Sequence, residues 1–123
     1  MAKVLDDSVL DAALTLLATS THLTFCSTQP ADYEGIAAVT LAAATLTAGD
    51  GQGDYVIADH TSGRKLTVGA QTGMVPSADG TITYATLDDG TTLLAATPVT
   101  SQAVTTLQSW DSPAFIIALP DPA

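Results

Sequence analysis

Alternation of apolar and polar residues, broken by short clusters of turn residues, dominates the chain from about residue 21 to residue 119. Leu66 and Val68 alternate with lysine and threonine, and the same two-residue period recurs at 80–87. This is the period of a strand with one face toward a core and the other toward water. The sequence therefore predicts a mainly β fold: one β-sandwich or barrel-like domain spanning 1–123, with about seven or eight strands.

One helical pattern precedes the strands, at about residues 6–18. The predicted helix starts with two negative side chains, Asp6 and Asp7. Negative charge at this end is favourable for the helix dipole, and the carboxylate oxygens can cap free N–H groups. We therefore expect an N-terminal amphipathic helix. Its apolar residues recur at three- and four-residue spacing at Val9, Ala13, Leu16 and Leu17, with Leu10 and Leu14 widening the stripe.

An Asp-Gly step separates two of the predicted strands. Asp89 and Gly90 lie between alternating runs at 80–87 and 91–99. Such a step favours a tight turn, because the central residues of the turn need positive φ angles. The two runs are therefore predicted to pair as a β-hairpin.

The charge of the chain limits its partners. Thirteen acidic residues stand against Lys3, Arg64 and Lys65, a formal net charge of -10. A surface of that sign repels phosphate backbones and anionic lipid headgroups, which excludes sequence-independent nucleic-acid binding. The apolar run at 9–17 is interrupted by Asp11 and is too short for a membrane helix. The sequence thus predicts neither nucleic acid nor membrane as a partner.

Candidate metal ligands are few. His22 and Cys26 are too few for structural zinc, which needs four ligands. Asp50, Gln52 and Asp54 place oxygens at alternate positions, as calcium loops do, but no later bidentate glutamate follows them. A solvated turn is the favoured interpretation of these three residues. Cys26 has no second cysteine with which to pair and is predicted to be a buried, inert thiol. No metal and no cofactor is predicted.

Residue types found in hydrolase triads occur together once, at 59–62. This segment reads Asp59-His60-Thr61-Ser62. Triad members normally come from separate elements of the fold, whereas these four share one turn with no nucleophile motif nearby. The sequence therefore predicts that the protein is not an enzyme. A small soluble hydrolase is kept as a distant alternative.

Arg64 and Lys65 form the one cationic pair in this acidic chain. A guanidinium binds carboxylates through a planar fork of donors, so Arg64 suits a contact with an acidic group. The partner is either a carboxylate of the same chain at a strand end or one on another subunit. Both alternatives are open from the sequence.

Several separated blocks, taken in order, resemble a family of small virion structural proteins of tailed bacteriophages, encoded near the major capsid protein. The blocks lie at 9–14, 23–30, 62–68, 93–94, 99–102, 110–111 and 119–122, with Tyr33 between the second and third.

The resemblance implies a non-enzymatic capsid decoration or cement protein that stabilises the shell from the outer head surface of the virion, after assembly in the host cytoplasm. Its implied partners are the major capsid protein and other copies of itself, as a trimer, and a negative exterior protein fits this role. Arg64, Lys65 and Trp110 are the candidate intersubunit or capsid contacts. A small tail or tail-fibre component that recognises the host is the alternative.

Overall fold

The computed structural model describes residues 7–61 and 63–119, and this part of the chain is mainly β, as predicted. Two helices and nine strands form within it. In chain order the elements are α1 Asp7–Leu17, β1 His22–Cys26, α2 Ile36–Val39, β2 Thr40–Thr45, β3 Tyr55–Asp59, β4 Arg64–Val68, β5 Gln71–Met74, β6 Gly80–Asp88, β7 Leu93–Val104, β8 Trp110–Ser112 and β9 Phe115–Leu119.

The largest sheet has four antiparallel strands in the order β2-β1-β6-β7. The predicted hairpin is confirmed, because β6 pairs with β7 along most of its length. The turn is wider than expected. Gly90 has a φ angle of +96°, but no other residue of the described turn has a positive φ, and the strands are joined through residues 89–92.

The carboxylate of Asp89 organises this wider turn. Its Oδ1 accepts the N–H groups of Thr91 at 3.0 Å and Thr92 at 2.8 Å, and the Thr91 hydroxyl at 3.0 Å. Bonds to the Thr91 and Thr92 N–H groups lower the pKa of the Asp89 carboxyl. The expectation of positive φ angles at the central residues of the turn holds for Gly90 alone, because the Asp89 side chain satisfies the amides of Thr91 and Thr92.

A second sheet joins residues that are far apart in sequence. β3, β4 and β9 form three antiparallel strands in that order, and the short strands β5 and β8 form a separate pair. β4 is therefore the central strand, with Leu66 opposite both Ile57 and Ile117. The second neighbour of β4 is β9, which comes from a distant part of the sequence.

One hydrophobic core is shared by helix α1 and all three sheets. Tyr55, Leu66, Val68, Leu23 and Ile82 have no measurable exposure within it. The remaining buried members are Leu14, Ala18, Phe25, Leu41, Ala42, Leu46, Met74, Ala85, Leu87 and Val104.

Helix α1 rests on β3 and β4 through a narrower face than the sequence pattern indicated. Leu10 and Leu14 are buried, whereas Val9 and Leu16 are 52% and 58% exposed. The predicted stripe was too wide because apolar residues occur on most sides of this helix, and only the sheet beneath it decides which side is covered. The proposed cap at Asp6 lies outside the described residues. No helix among the described residues is long and apolar enough to cross a membrane.

Candidate interaction surface

Arg64 begins β4 and ties helix α1 to the three-stranded sheet. Its Nε donates to Asp11 Oδ1 at 2.7 Å, a second guanidinium nitrogen lies 3.3 Å from Asp11 Oδ2, and a third bonds to Asp59. The hydrogen bonds to Asp11 and then to Asp59 raise the pKa of the guanidinium further above its ordinary value. Of the two alternatives open from the sequence, the bridge within the chain is therefore formed. A contact of Arg64 with another subunit stays a prediction.

Removing this bridge is expected to loosen helix α1 selectively. Arg64→Met keeps much of the apolar stem and deletes the charge, so Asp11 loses its partner across the helix–sheet contact. Amide hydrogen exchange should become several-fold faster in α1 while β6 stays protected. Lys65→Met is the matched control, since no described carboxylate lies within 4.0 Å of Lys65. Equal exchange in α1 of both variants would contradict a structural role for the bridge.

The second candidate contact, Lys65, lies on the side of the three-stranded sheet that faces away from the core. Alternation along β4 turns Leu66 and Val68 inward, where they are fully buried, and turns Lys65 and Thr67 outward. The register places Ala58 and Ala118 on either side of Lys65. We call this side the outer face, and its residues are Val56, Ala58, Lys65, Thr67, Ile116 and Ala118.

The outer face is unusual for so acidic a protein. It carries four apolar side chains, one threonine and one lysine, and no carboxylate. Val56 is 50% exposed and Ile116 is 44% exposed, although both are large and β-branched. An exposed apolar patch with a single positive charge is typical of a surface that contacts another protein.

Trp110, the third candidate contact, lies in a cleft rather than on the outer face. Its ring meets Phe25 edge-on, with ring centroids 4.7 Å apart and planes at 84°. The cleft has a volume of about 510 Å³ and lies between edge strand β7 and the segment joining β8 to β9. Trp110 therefore supports the core through Phe25 and also presents part of its surface to the cleft.

The carboxylates of the proposed calcium loop are engaged by the protein itself. Asp50 Oδ1 accepts the Ile57 N–H at 2.9 Å, and Asp54 Oδ2 accepts the Thr47 N–H at 2.7 Å. Gln52 is exposed. Within 7–61 and 63–119, no three His, Cys, Asp or Glu side chains come together in a way that could hold a metal ion. The loop contacts match those of a structured turn.

Of the residues considered for a hydrolase triad, the three that the structure describes, Asp59, His60 and Thr61, share no hydrogen bond with one another. Asp59 binds Arg64, and the His60 N–H donates to the Gly63 carbonyl at 3.2 Å. Ser62 lies outside the described residues. The predicted burial of Cys26 is confirmed, and its lack of contact with water raises the pKa of the thiol.

One titratable pair was not predicted from the sequence. His22 Nδ1 lies 3.3 Å from Asp88 Oδ1, because β1 and β6 place these residues directly opposite each other. The nearest hydroxyl, that of Thr21, lies 3.2 Å from the same nitrogen. The carboxylate can therefore orient the imidazole, but this hydroxyl shares Nδ1 with Asp88 and is not placed for proton transfer to Nε2. Pairing β1 with the predicted hairpin in the sequence would have revealed the contact.

No family model, no curated protein and no solved structure matches the chain.

Proposed function

We propose that this protein is a non-enzymatic structural protein of a tailed-bacteriophage virion, a decoration or cement protein that binds the outer surface of the head through the major capsid protein. The observation that carries the binding role is the outer face of the β3-β4-β9 sheet. The phage assignment is supported by the order of the sequence blocks from 9–14 to 119–122.

The chemistry of the outer face suits attachment to a large protein surface. The centre of a protein interface is depleted of charge and needs flat, well-packed apolar area, and Val56 and Ile116 supply such area. Lys65 adds one cation that can pair with a carboxylate of the shell. The net charge of -10 elsewhere disfavours contact with encapsidated nucleic acid and keeps particles apart in suspension.

Copy number on the purified particle tests the location. A decoration protein of the head is present in hundreds of copies, and electron microscopy should show its density outside the shell in a symmetric array. The resemblance implies a trimer at each site. A handful of copies at the tail would overturn the head assignment and favour the tail alternative, while absence from the particle would refute both.

Attachment should tolerate salt, because apolar contacts rather than exposed ion pairs provide most of its free energy. At about 1 M salt the Debye length falls to about 3 Å, which screens exposed charge pairs. We expect most of the protein to sediment with particles under these conditions. Release by moderate salt alone would contradict the proposal.

A substitution in the outer face tests whether this face contacts the particle, provided that the variant stays folded. Val56→Glu places a carboxylate on a face that has none and should reduce attachment to particles at least about tenfold. Leu107→Glu is the control, since Leu107 is 92% exposed and lies on a different part of the surface. Equal attachment of the two variants, both folded by circular dichroism, would exclude the outer face as the docking surface.

A further inference from the structure

The two edges of the three-stranded sheet differ. On the β3 edge, the loop that precedes the strand supplies hydrogen-bond partners: the Gly51 N–H donates to the Tyr55 carbonyl at 2.8 Å, and Asp50 Oδ1 accepts the Ile57 N–H at 2.9 Å. This edge is closed by the protein's own chain. On the β9 edge, no neighbouring strand is present among the described residues.

The hydrogen-bond alternation shows which groups face the open edge. The backbone polar groups of Tyr55 and Ile57 point toward the loop, so those of Val56 and Ala58 bond to β4. On β4, the N–H and C=O groups of Leu66 therefore point away from β3 and toward β9. The register of β4 with β9 has no irregularity. The N–H and C=O groups of Ile116 and Ala118 therefore point to the open edge, and they bond to no other described residue.

The burial of the β9 side chains also indicates that this strand has no neighbour on its outer edge. The inward-facing apolar residues of β4, Leu66 and Val68, are fully buried, whereas Phe115, Ile117 and Leu119 on the same side of β9 are only partly buried. Within Phe115–Leu119 there is no charged residue and no proline, and no bulge interrupts the strand. Proteins usually protect an exposed edge with such features, because an unprotected apolar edge pairs with another strand.

The outer edge of β7 is protected in this way. Pro98 interrupts the donors of β7, and its register with β6 is irregular between Ile82 and Tyr84. The edge of β2 is partly engaged, since the Leu41 carbonyl accepts the Ser77 N–H at 2.8 Å. Among the four outer edges of the two larger sheets, β9 is thus the one best suited to pair with another chain.

We propose that β9 pairs with β9 of a second copy of this chain, antiparallel about a two-fold axis through Ile117. This register sets Ile116 opposite Ala118 of the second copy, so the free N–H and C=O groups of each edge meet their complements. It also keeps the three partly buried residues of both copies on the inner side of one continuous six-stranded sheet. The inference stands independently of the proposed function, and it replaces the trimer that the resemblance implies with a two-fold dimer.

Charge favours a second copy at this edge over other parts of the surface. Two chains of net charge -10 repel each other wherever carboxylates approach. Neither β9 nor the outer face beside it carries a carboxylate, and Lys65 is the one charged group there. The two described edges are therefore electrostatically compatible with each other.

The mass of the purified protein in analytical ultracentrifugation tests this pairing. We expect a dimer whose dissociation constant rises at least about tenfold in Ile116→Lys, which sets a lysine opposite Ala118 and near Lys65 of the second copy. Val56→Lys is the matched control, because Val56 lies in the same row of the outer face at the closed edge. A monomer for the wild-type chain, a trimer, or equal weakening by both variants would overturn the proposal.

Two further variants test the backbone pairing and its register. Ala118→Pro deletes an N–H that points to the open edge and is not used within the chain, so it should dissociate the dimer and leave the fold intact. Ile117→Cys should form a disulfide between copies under mild oxidation, since identical residues on the axis face each other at close range. The wild-type chain, with Cys26 buried, is the control. A folded Ala118→Pro dimer, or no cross-link at position 117, would refute the register.

Discussion

Replacing Phe25 with alanine is expected to lower the free energy of unfolding by about 3–5 kcal/mol. Phe25 is 2% exposed and contacts Trp110 edge-on, so the substitution removes a large buried side chain and its aromatic partner contact. Aromatic residues make up only 5% of the chain, and neighbours such as Ala42 and Ala85 are too small to fill the cavity. Chemical denaturation followed by tryptophan fluorescence measures the loss.

Leu107→Ala provides the reference for this measurement. Leu107 is 92% exposed, so its truncation should change stability by less than about 0.5 kcal/mol. A loss below about 1 kcal/mol in Phe25→Ala would mean that the core repacks around the cavity. That result would contradict the packing of Phe25 against Trp110 described above.

Alkaline conditions are expected to destabilise the protein through Tyr55. Burial, followed by the nearby charge of Asp54, raises the pKa of the Tyr55 hydroxyl to about 12 from an ordinary value of 10.0. The folded chain thus keeps this proton where the unfolded chain has lost it. The stabilisation is fully present below pH 10 and is lost as the pH rises through about 12, a decrease on the order of 2 kcal/mol.

Tyr55→Phe isolates this contribution. The variant loses the hydrogen bond from the Tyr55 hydroxyl to the Ser20 carbonyl, 2.9 Å long, and should be about 1 kcal/mol less stable at neutral pH. Between pH 10 and 12 its stability should fall less steeply than that of the wild-type chain. Parallel curves for the two proteins, measured by denaturant titration at each pH, would show that Tyr55 does not carry the alkaline transition.

Local features of the fold were predictable, and long-range ones were not. The β6–β7 hairpin follows from alternation and the Asp89-Gly90 step, because its two strands adjoin in sequence. The pairing of β4 with β9 has no comparable local signal. Several apolar runs could occupy that edge with similar alternation, and only packing against the shared core selects among them.

The same distinction applies to the candidate surface. The sequence identified Arg64 as a binder of carboxylates, but Asp11 and Asp59 became its partners only when α1 and β3 came together around β4. Lys65 was singled out for its charge, whereas the apolar surroundings of its amine depend on the register of three strands. Side-chain chemistry could therefore be predicted, and the neighbours on which its role depends could not.

The central position of β4 has a consequence for biosynthesis. β3 and β4 leave the ribosome together and can pair at once, but β9 is the last of the described strands to be made. Until then one side of β4 lacks its partner, and closing the long intervening loop slows the final pairing. The nascent chain should therefore depend on chaperones that shield β4 during translation, and premature termination before β9 should yield an aggregating product rather than a smaller folded one.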